Sequence, residues 1–162
     1  MKSEYGNDGS YTGNGANVTN VNATKLGGVP VAGFWQTGGN LGTFPGANIL
    51  GTLDNEPLEL WVNGFRALKI IPGTNAVNTP NLIGGSIANT IDPGVMGATI
   101  AGGGGGPIDG YYYNNYVRAN FAAIGGGTGN MASNVCSTVA GGLRNTASGL
   151  GSSPRRRPRR TL

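Results

Sequence analysis

The sequence predicts an all-β chain, a β-hairpin region followed by a short solenoid of stacked coils, and three observations predict it. First, a short phrase recurs: residues 121–130 read Phe-Ala-Ala-Ile-Gly-Gly-Gly-Thr-Gly-Asn and residues 136–145 read Cys-Ser-Thr-Val-Ala-Gly-Gly-Leu-Arg-Asn. The anchoring aliphatics, Ile124 and Val139, lie 15 residues apart, and earlier copies centre on Ile83 and Ile100. In three of the four copies an Asn stands six positions after the aliphatic, at Asn89, Asn130 and Asn145. A fixed short period with a strand-like apolar centre and a glycine corner marks one coil per copy. Second, Asn63-Gly64 separates two alternating apolar runs, a hairpin signal because both central residues of a type I′ turn need positive φ. Third, 32 glycines, 11% charged residues and 7% aromatics suit tight turns between very short strands.

Taken in order, residues 1–47 are a polar, turn-rich segment in which Val18 and Val21 are isolated aliphatics and Pro45-Gly46 marks a turn. Its sequons at Asn17 and Asn22 are read as chance matches in an Asn-rich text. Residues 48–78 hold the hairpin. A two-residue turn pairs Val62 with Phe65 and Trp61 with Arg66, placing Leu58, Leu60, Val62, Phe65 and Ala67 on one face and Trp61, Leu68 and Ile70 on the other. Both faces are partly apolar, so other structure must cover them. Between Trp61 and Arg66, simple packing is preferred to a cation–π contact.

Residues 79–149 form the repeats. Their anchors step by 17, 24 and 15 residues, and the long step holds about nine extra residues centred on 106–116, expected as a loop on one face. The next anchor falls due at Pro154, which cannot donate in a ladder. Residues 150–162 therefore read as a disordered Arg/Pro tail. A truncated or frame-shifted end is preferred to a true basic tail, since a Gly-rich repeat shifted in GC-rich DNA yields Arg- and Pro-rich text. Few windows supply large apolar residues, so burial is expected from coil stacking and from neighbouring chains.

Charge and composition exclude several classes. Five of the eleven basic residues are Arg155, Arg156, Arg157, Arg159 and Arg160; without them six basic residues face seven acidic ones, so the body carries no nucleic-acid footprint. The lone Cys136 rules out an intrachain disulfide and a cysteine zinc cage, and is expected as a small buried filler. No histidine is present, which removes the commonest general base and transition-metal ligand. No stretch is long enough for a membrane helix, so no membrane insertion is expected, and the N-terminus lacks the apolar core of a secretory signal.

The order of motifs resembles a known group. Residues 13–26 with Val29-Pro30 resemble the repeat of phage-tail-fibre-like proteins, and residues 48–60 with Val62-Asn63-Gly64-Phe65-Arg66-Ala67-Leu68 resemble the segment that follows in them. The aliphatic-Gly/Ala-Gly-Gly copies are similar to the head repeats of trimeric autotransporter adhesins. The resemblance implies a homotrimer of short left-handed parallel β-rolls, with Ile83, Ile100, Ile124 and Val139 as its inward trimer core. It also implies a structural fibre or adhesin segment at the cell surface or on a virion appendage. Full-length relatives commonly end in a self-cleaving endosialidase-type chaperone domain, for which this chain has no counterpart.

Candidate sites are few. Gly102–Gly106 is a repeat corner and loop start, because no Gly-Lys-Ser/Thr follows it. Asp54 and Glu56 are the nearest approach to a catalytic pair but sit in a turn without a base; a polysaccharide-degrading tail spike is the rival reading they would serve. No catalytic residue, metal site or cofactor is expected. The sharp candidate is a tyrosine loop, Tyr111, Tyr112, Tyr113, Asn114, Asn115 and Tyr116, with Arg118 beside it, whose composition suits contact with a surface glycan or protein receptor. The alternative is that these rings cover the roll or a neighbouring chain.

Overall fold

The computed structural model describes residues 25–26, 29–30, 33–73, 79–108 and 110–153. The polar segment expected at residues 1–24, Asp109 and the Arg/Pro tail expected from Pro154 onward lie outside the described residues. The described structure is all-β. It divides into two compact units, Met1–Leu50 and Gly51–Leu162.

In the first unit, β1 (Lys25–Leu26) and β2 (Val29–Pro30) pair antiparallel. The turns that follow are held by side chains in place of a ladder. Asn40 accepts from Gln36 N through Oδ1 (2.8 Å) and donates to Phe34 O (2.9 Å), while Asn48 Oδ1 accepts from Phe44 N (2.8 Å). Asn suits such places because its amide can close a turn against its own backbone.

The second unit opens with the expected hairpin, β3 (Leu58–Val62) and β4 (Phe65–Ile71). Asn63 and Gly64 have φ of 50° and 75°, and Val62 pairs with Phe65 and Trp61 with Arg66. The register then slips by one residue between Leu60 and Trp61, so that Leu60 pairs with Leu68 and Leu58 with Ile70. The extra residue is Ala67, and it changes the expected faces. Leu58, Leu60, Val62, Phe65, Leu68 and Ile70 now share one face, while Glu59, Trp61, Arg66 and Lys69 share the other. On that polar face Lys69 and Arg66 reach the Glu59 carboxylate at 3.3 and 3.6 Å, and the Trp61 indole donates to it at 3.1 Å. Burial pushes the Glu59 carboxyl up, but the hydrogen bonds from Lys69 and Trp61 and the two nearby cations outweigh it and hold the group below its ordinary value.

β4 pairs antiparallel with β5 (Asn81–Gly84), which joins the hairpin to the repeats in one sheet, so the two segments expected at 48–78 and 79–149 are continuous. From β5 onward the chain alternates between two parallel sheets. One takes β5, β7 (Thr99–Ile100), β11 (Ala123–Ile124) and β13 (Thr138–Val139); the other takes β6 (Thr90–Ile91), β10 (Tyr116–Val117), β12 (Met131–Ala132) and β14 (Thr146–Ala147). Ile83, Ile100, Ile124 and Val139 are stacked in register in the first. Ile91, Val117, Ala132 and Ala147 are stacked in the second. Between β7 and β10 runs the insertion, which folds into an antiparallel hairpin of β8 (Pro107–Ile108) and β9 (Tyr111–Tyr112).

These eight anchors, with Ala98 and Ala122, make one buried cluster, none of them more than 8% exposed. Ile83, Ile100, Ile124 and Val139 therefore point into the interior of a single chain, toward the opposite sheet, and not to an axis shared between chains. The physical reason is the second column of anchors, which closes a thin core with small residues. Fully burying each isoleucine is worth about 1.5–3 kcal/mol, so coil stacking supplies a substantial core without a partner.

Two further columns lock the coils together. Asn89, Asn115, Asn130 and Asn145 stack, each Oδ1 accepting the backbone N–H of the next Asn at 3.0 Å. Their Nδ2 groups donate to glycine carbonyls: Asn115 to Gly102 and Gly127, and Asn130 to Gly126 and Gly142. Each asparagine thereby satisfies the corner backbone that glycine leaves without a ladder. The glycine column runs Gly85, Gly103, Gly127, Gly142, all at positive φ.

The corner before β7, β11 and β13 is also left-handed, at Gly97, Phe121 and Cys136, and Gly151 repeats it 15 residues after Cys136. Cys136 is exposed there, which corrects the expected buried filler: at such a corner the side chain turns outward. The repeat's bonding continues to Ser152, whose carbonyl accepts from Thr138 N (2.8 Å) as Ser137 O accepts from Ala123 N one coil earlier (2.9 Å). Residues 150–152 thus belong to a coil corner, past the expected limit at 149.

Candidate functional site: a tyrosine hairpin set between two coils

The insertion adds nine residues between the anchors Ile100 and Val117, which stand 17 apart where Ile124 and Ala132 stand eight apart. Pro107 pairs with Tyr112 and Ile108 with Tyr111, and Gly110 beside β9 has φ 77°. An antiparallel hairpin therefore stands where only a loop was expected at 106–116. Gly105 N (2.8 Å) and the Thr128 hydroxyl (2.5 Å) both donate to Tyr113 O, fixing the base of the hairpin to the coil stack.

The six residues proposed from sequence separate into three groups. Tyr111 and Tyr112 stand out from the surface, 67% and 73% exposed, with Asn114 also exposed. Tyr113 is half-buried; its ring centroid lies 6.4 Å from that of Tyr111, at an interplanar angle of 43°, and the Arg144 guanidinium sits 5.3 Å above it. Asn115 is not a surface residue. It is 0% exposed and is the second rung of the asparagine ladder, which corrects its assignment as a receptor contact. The signal was present: Asn115 precedes Tyr116-Val117 as Asn130 precedes Met131-Ala132 and Asn145 precedes Thr146-Ala147. The insertion merely displaced it from its usual spacing after the first aliphatic.

Tyr116 lies on β10 and is also half-buried. Its hydroxyl donates to Asp92 Oδ1 at 2.7 Å, and Arg118 lies 4.8 Å over its ring. The Asp92 hydrogen bond, then burial and the Asp92 charge, raise the Tyr116 phenol above its ordinary value despite the opposing Arg118. Such a tyrosine is tied into the sheet surface and is not available as a free donor. Arg144 was not visible as a neighbour from sequence, because only coil stacking brings residue 144 beside residue 113.

Elsewhere, Asp54 and Glu56 are exposed in the turns leading to β3, and the Thr52 hydroxyl donates to Glu56 O (2.9 Å). Among the described residues no group of three or more Cys, Asp or Glu side chains could hold a metal, and no helix is long and apolar enough to cross a membrane. Trp61 does not need Arg66 as a ring partner, since its indole is bonded to Glu59.

In class, then, this is an all-β protein whose stacked parallel strands carry an aromatic hairpin on their surface. Compared with protein-family models, with curated proteins and with solved structures, the chain matches none.

Proposed function

We propose that the chain is a structural segment of a fibre or adhesin on a cell-surface or phage-like appendage, built as a short left-handed β-solenoid and working as a homotrimer outside the cell. The observation that carries this reading is the stack itself: equivalent corners and asparagine rungs repeated along one direction make a stiff spacer. Trimer contacts are assigned to the outer face of the β3–β4 hairpin, where Val62 and Phe65 are each 67% exposed beside Leu60. An apolar sheet face of this kind marks an interaction surface. Tyr111 and Tyr112 provide the receptor contact, being large, stiff and exposed.

The test applies labelled full-length chain to an array of surface glycans and matrix proteins. Specific retention is expected on a subset of spots, weakened at least about tenfold by Tyr111→Ala with Tyr112→Ala. Retention on no spot, or equal retention of the double variant, would contradict the receptor role.

A further inference from the structure

Arg144 combines four features that a solvated surface arginine does not need. Its backbone is left-handed, φ 55°, at a corner where the equivalent residue one coil earlier is Gly129, φ 68°. A non-glycine residue held in that region stores strain and points to a role for the side chain. Gly129 leaves the notch that lets the two side chains meet: a Cβ there would lie 3.1 Å from Tyr113 Cβ and 3.2 Å from Arg144 Cγ. The guanidinium carbon lies 5.3 Å over the Tyr113 ring centroid, and a guanidinium carries five N–H donors in its own plane, more than one ring contact can occupy. Finally, the ion pairs among the described residues all involve Glu59, so Arg144 has no carboxylate partner there.

Resting on the receptor reading of this hairpin, we infer that Arg144 and the Tyr113 and Tyr111 rings form a subsite for a carboxylated sugar. A planar carboxylate meets the free guanidinium edge in a bidentate pair. The flat C–H face of the same pyranose ring lies against the exposed Tyr111 ring. An acidic peptide offers the carboxylate on a flexible stem without that flat face, so carbohydrate fits better. The base is pre-formed, because Thr128 ties both partners: its hydroxyl donates to Tyr113 O and its carbonyl accepts from Arg144 N at 3.0 Å. Such preorganisation lowers the cost of binding.

The five tail arginines would bind any polyanion, so the experiment uses the full-length chain with Arg155, Arg156, Arg157, Arg159 and Arg160 replaced by glutamine. Binding is measured by calorimetry to a galacturonate tetramer, to its methyl ester and to a tetraglutamate peptide. The expected result is binding of the acid tetramer alone, weakened at least about tenfold by Arg144→Gln and only partly kept by Arg144→Lys. An unchanged melting curve shows that the glutamine variant is folded. Equal binding of the methyl ester, equal binding of tetraglutamate, or no effect of Arg144→Gln overturns the assignment. No binding of the acid tetramer, with retention on the array still dependent on Tyr111 and Tyr112, overturns the ligand class and leaves the receptor role standing.

Discussion

Replacing Asn130 with alanine is expected to destabilise the second unit by about 3–5 kcal/mol, because several groups at once lose their partners. Asn130 Nδ2 donates to Gly126 O and Gly142 O, each at 2.9 Å, and its Oδ1 accepts from Asn145 N at 3.0 Å and Asn145 Nδ2 at 3.2 Å. The residue is 1% exposed, so water cannot readily replace the amide. Each buried group left unpaired costs about 1–3 kcal/mol, and the side chain leaves a void too. Against a typical domain stability of about 5–15 kcal/mol, this is a large share. Urea unfolding followed by circular dichroism measures it. Asn114→Ala serves as the control, since that residue is exposed and the change is expected to stay within about 0.5 kcal/mol. Equal midpoints for the two variants would mean that the ladder is ornamental.

Gly127→Ala is expected to cost about 3 kcal/mol or more, for a different reason. Gly127 has φ 75°, where an L-residue costs about 1–2 kcal/mol before any contact is considered. A Cβ there collides with Gly142 O and lies 2.6 Å from Gly142 N. Both are backbone atoms of the next coil, so no side chain can swing aside. Relief requires the coils to separate, which stretches the bonds from Thr128 N (2.9 Å) and Asn130 Nδ2 (2.9 Å) to the same Gly142 carbonyl. Gly102→Ala is the matched control: nothing lies within 4 Å of its Cβ position, and a change within about 0.5 kcal/mol is expected. Thermal melts of the two variants should separate clearly. Coincident melts would show that the coils are not packed as closely as described.

How much of this was legible in the sequence depends on how local the cause is. The β3–β4 turn register was legible because Asn63-Gly64 fixes a two-residue turn by its own φ requirements. The bulge at Ala67 was not, since it forms where β4 must pair with β3 on one side and β5 on the other. The inward column of Ile83, Ile100, Ile124 and Val139 was legible from spacing, yet its destination was misjudged. Its partners across the interior include Ala132 and Ala147, which look too small for a core until two sheets are seen to approach closely. Alanine carries little hydrophobicity in a sequence count and fills a narrow gap well in a structure.

The tyrosine site was half legible. Composition picked out residues 111–116, and exposure agrees for Tyr111, Tyr112 and Asn114. It failed for Asn115, whose role is set by stacking on Asn89 and Asn130, and it could not supply Arg144, which only coil register brings to Tyr113. Long-range partners of this kind have no signature in a single strand of text.

Amide hydrogen exchange on the full chain, followed through dilution alongside sedimentation, tests the central claim most directly. Ala123, Gly125 and Met131 N–H groups donate to Ser137, Val139 and Asn145 of the next coil. They should stay protected to the same degree when sedimentation reports one chain as when it reports three, because their shelter is built within the chain. Loss of that protection in step with dissociation would show that the interior belongs to the assembly and not to the protomer.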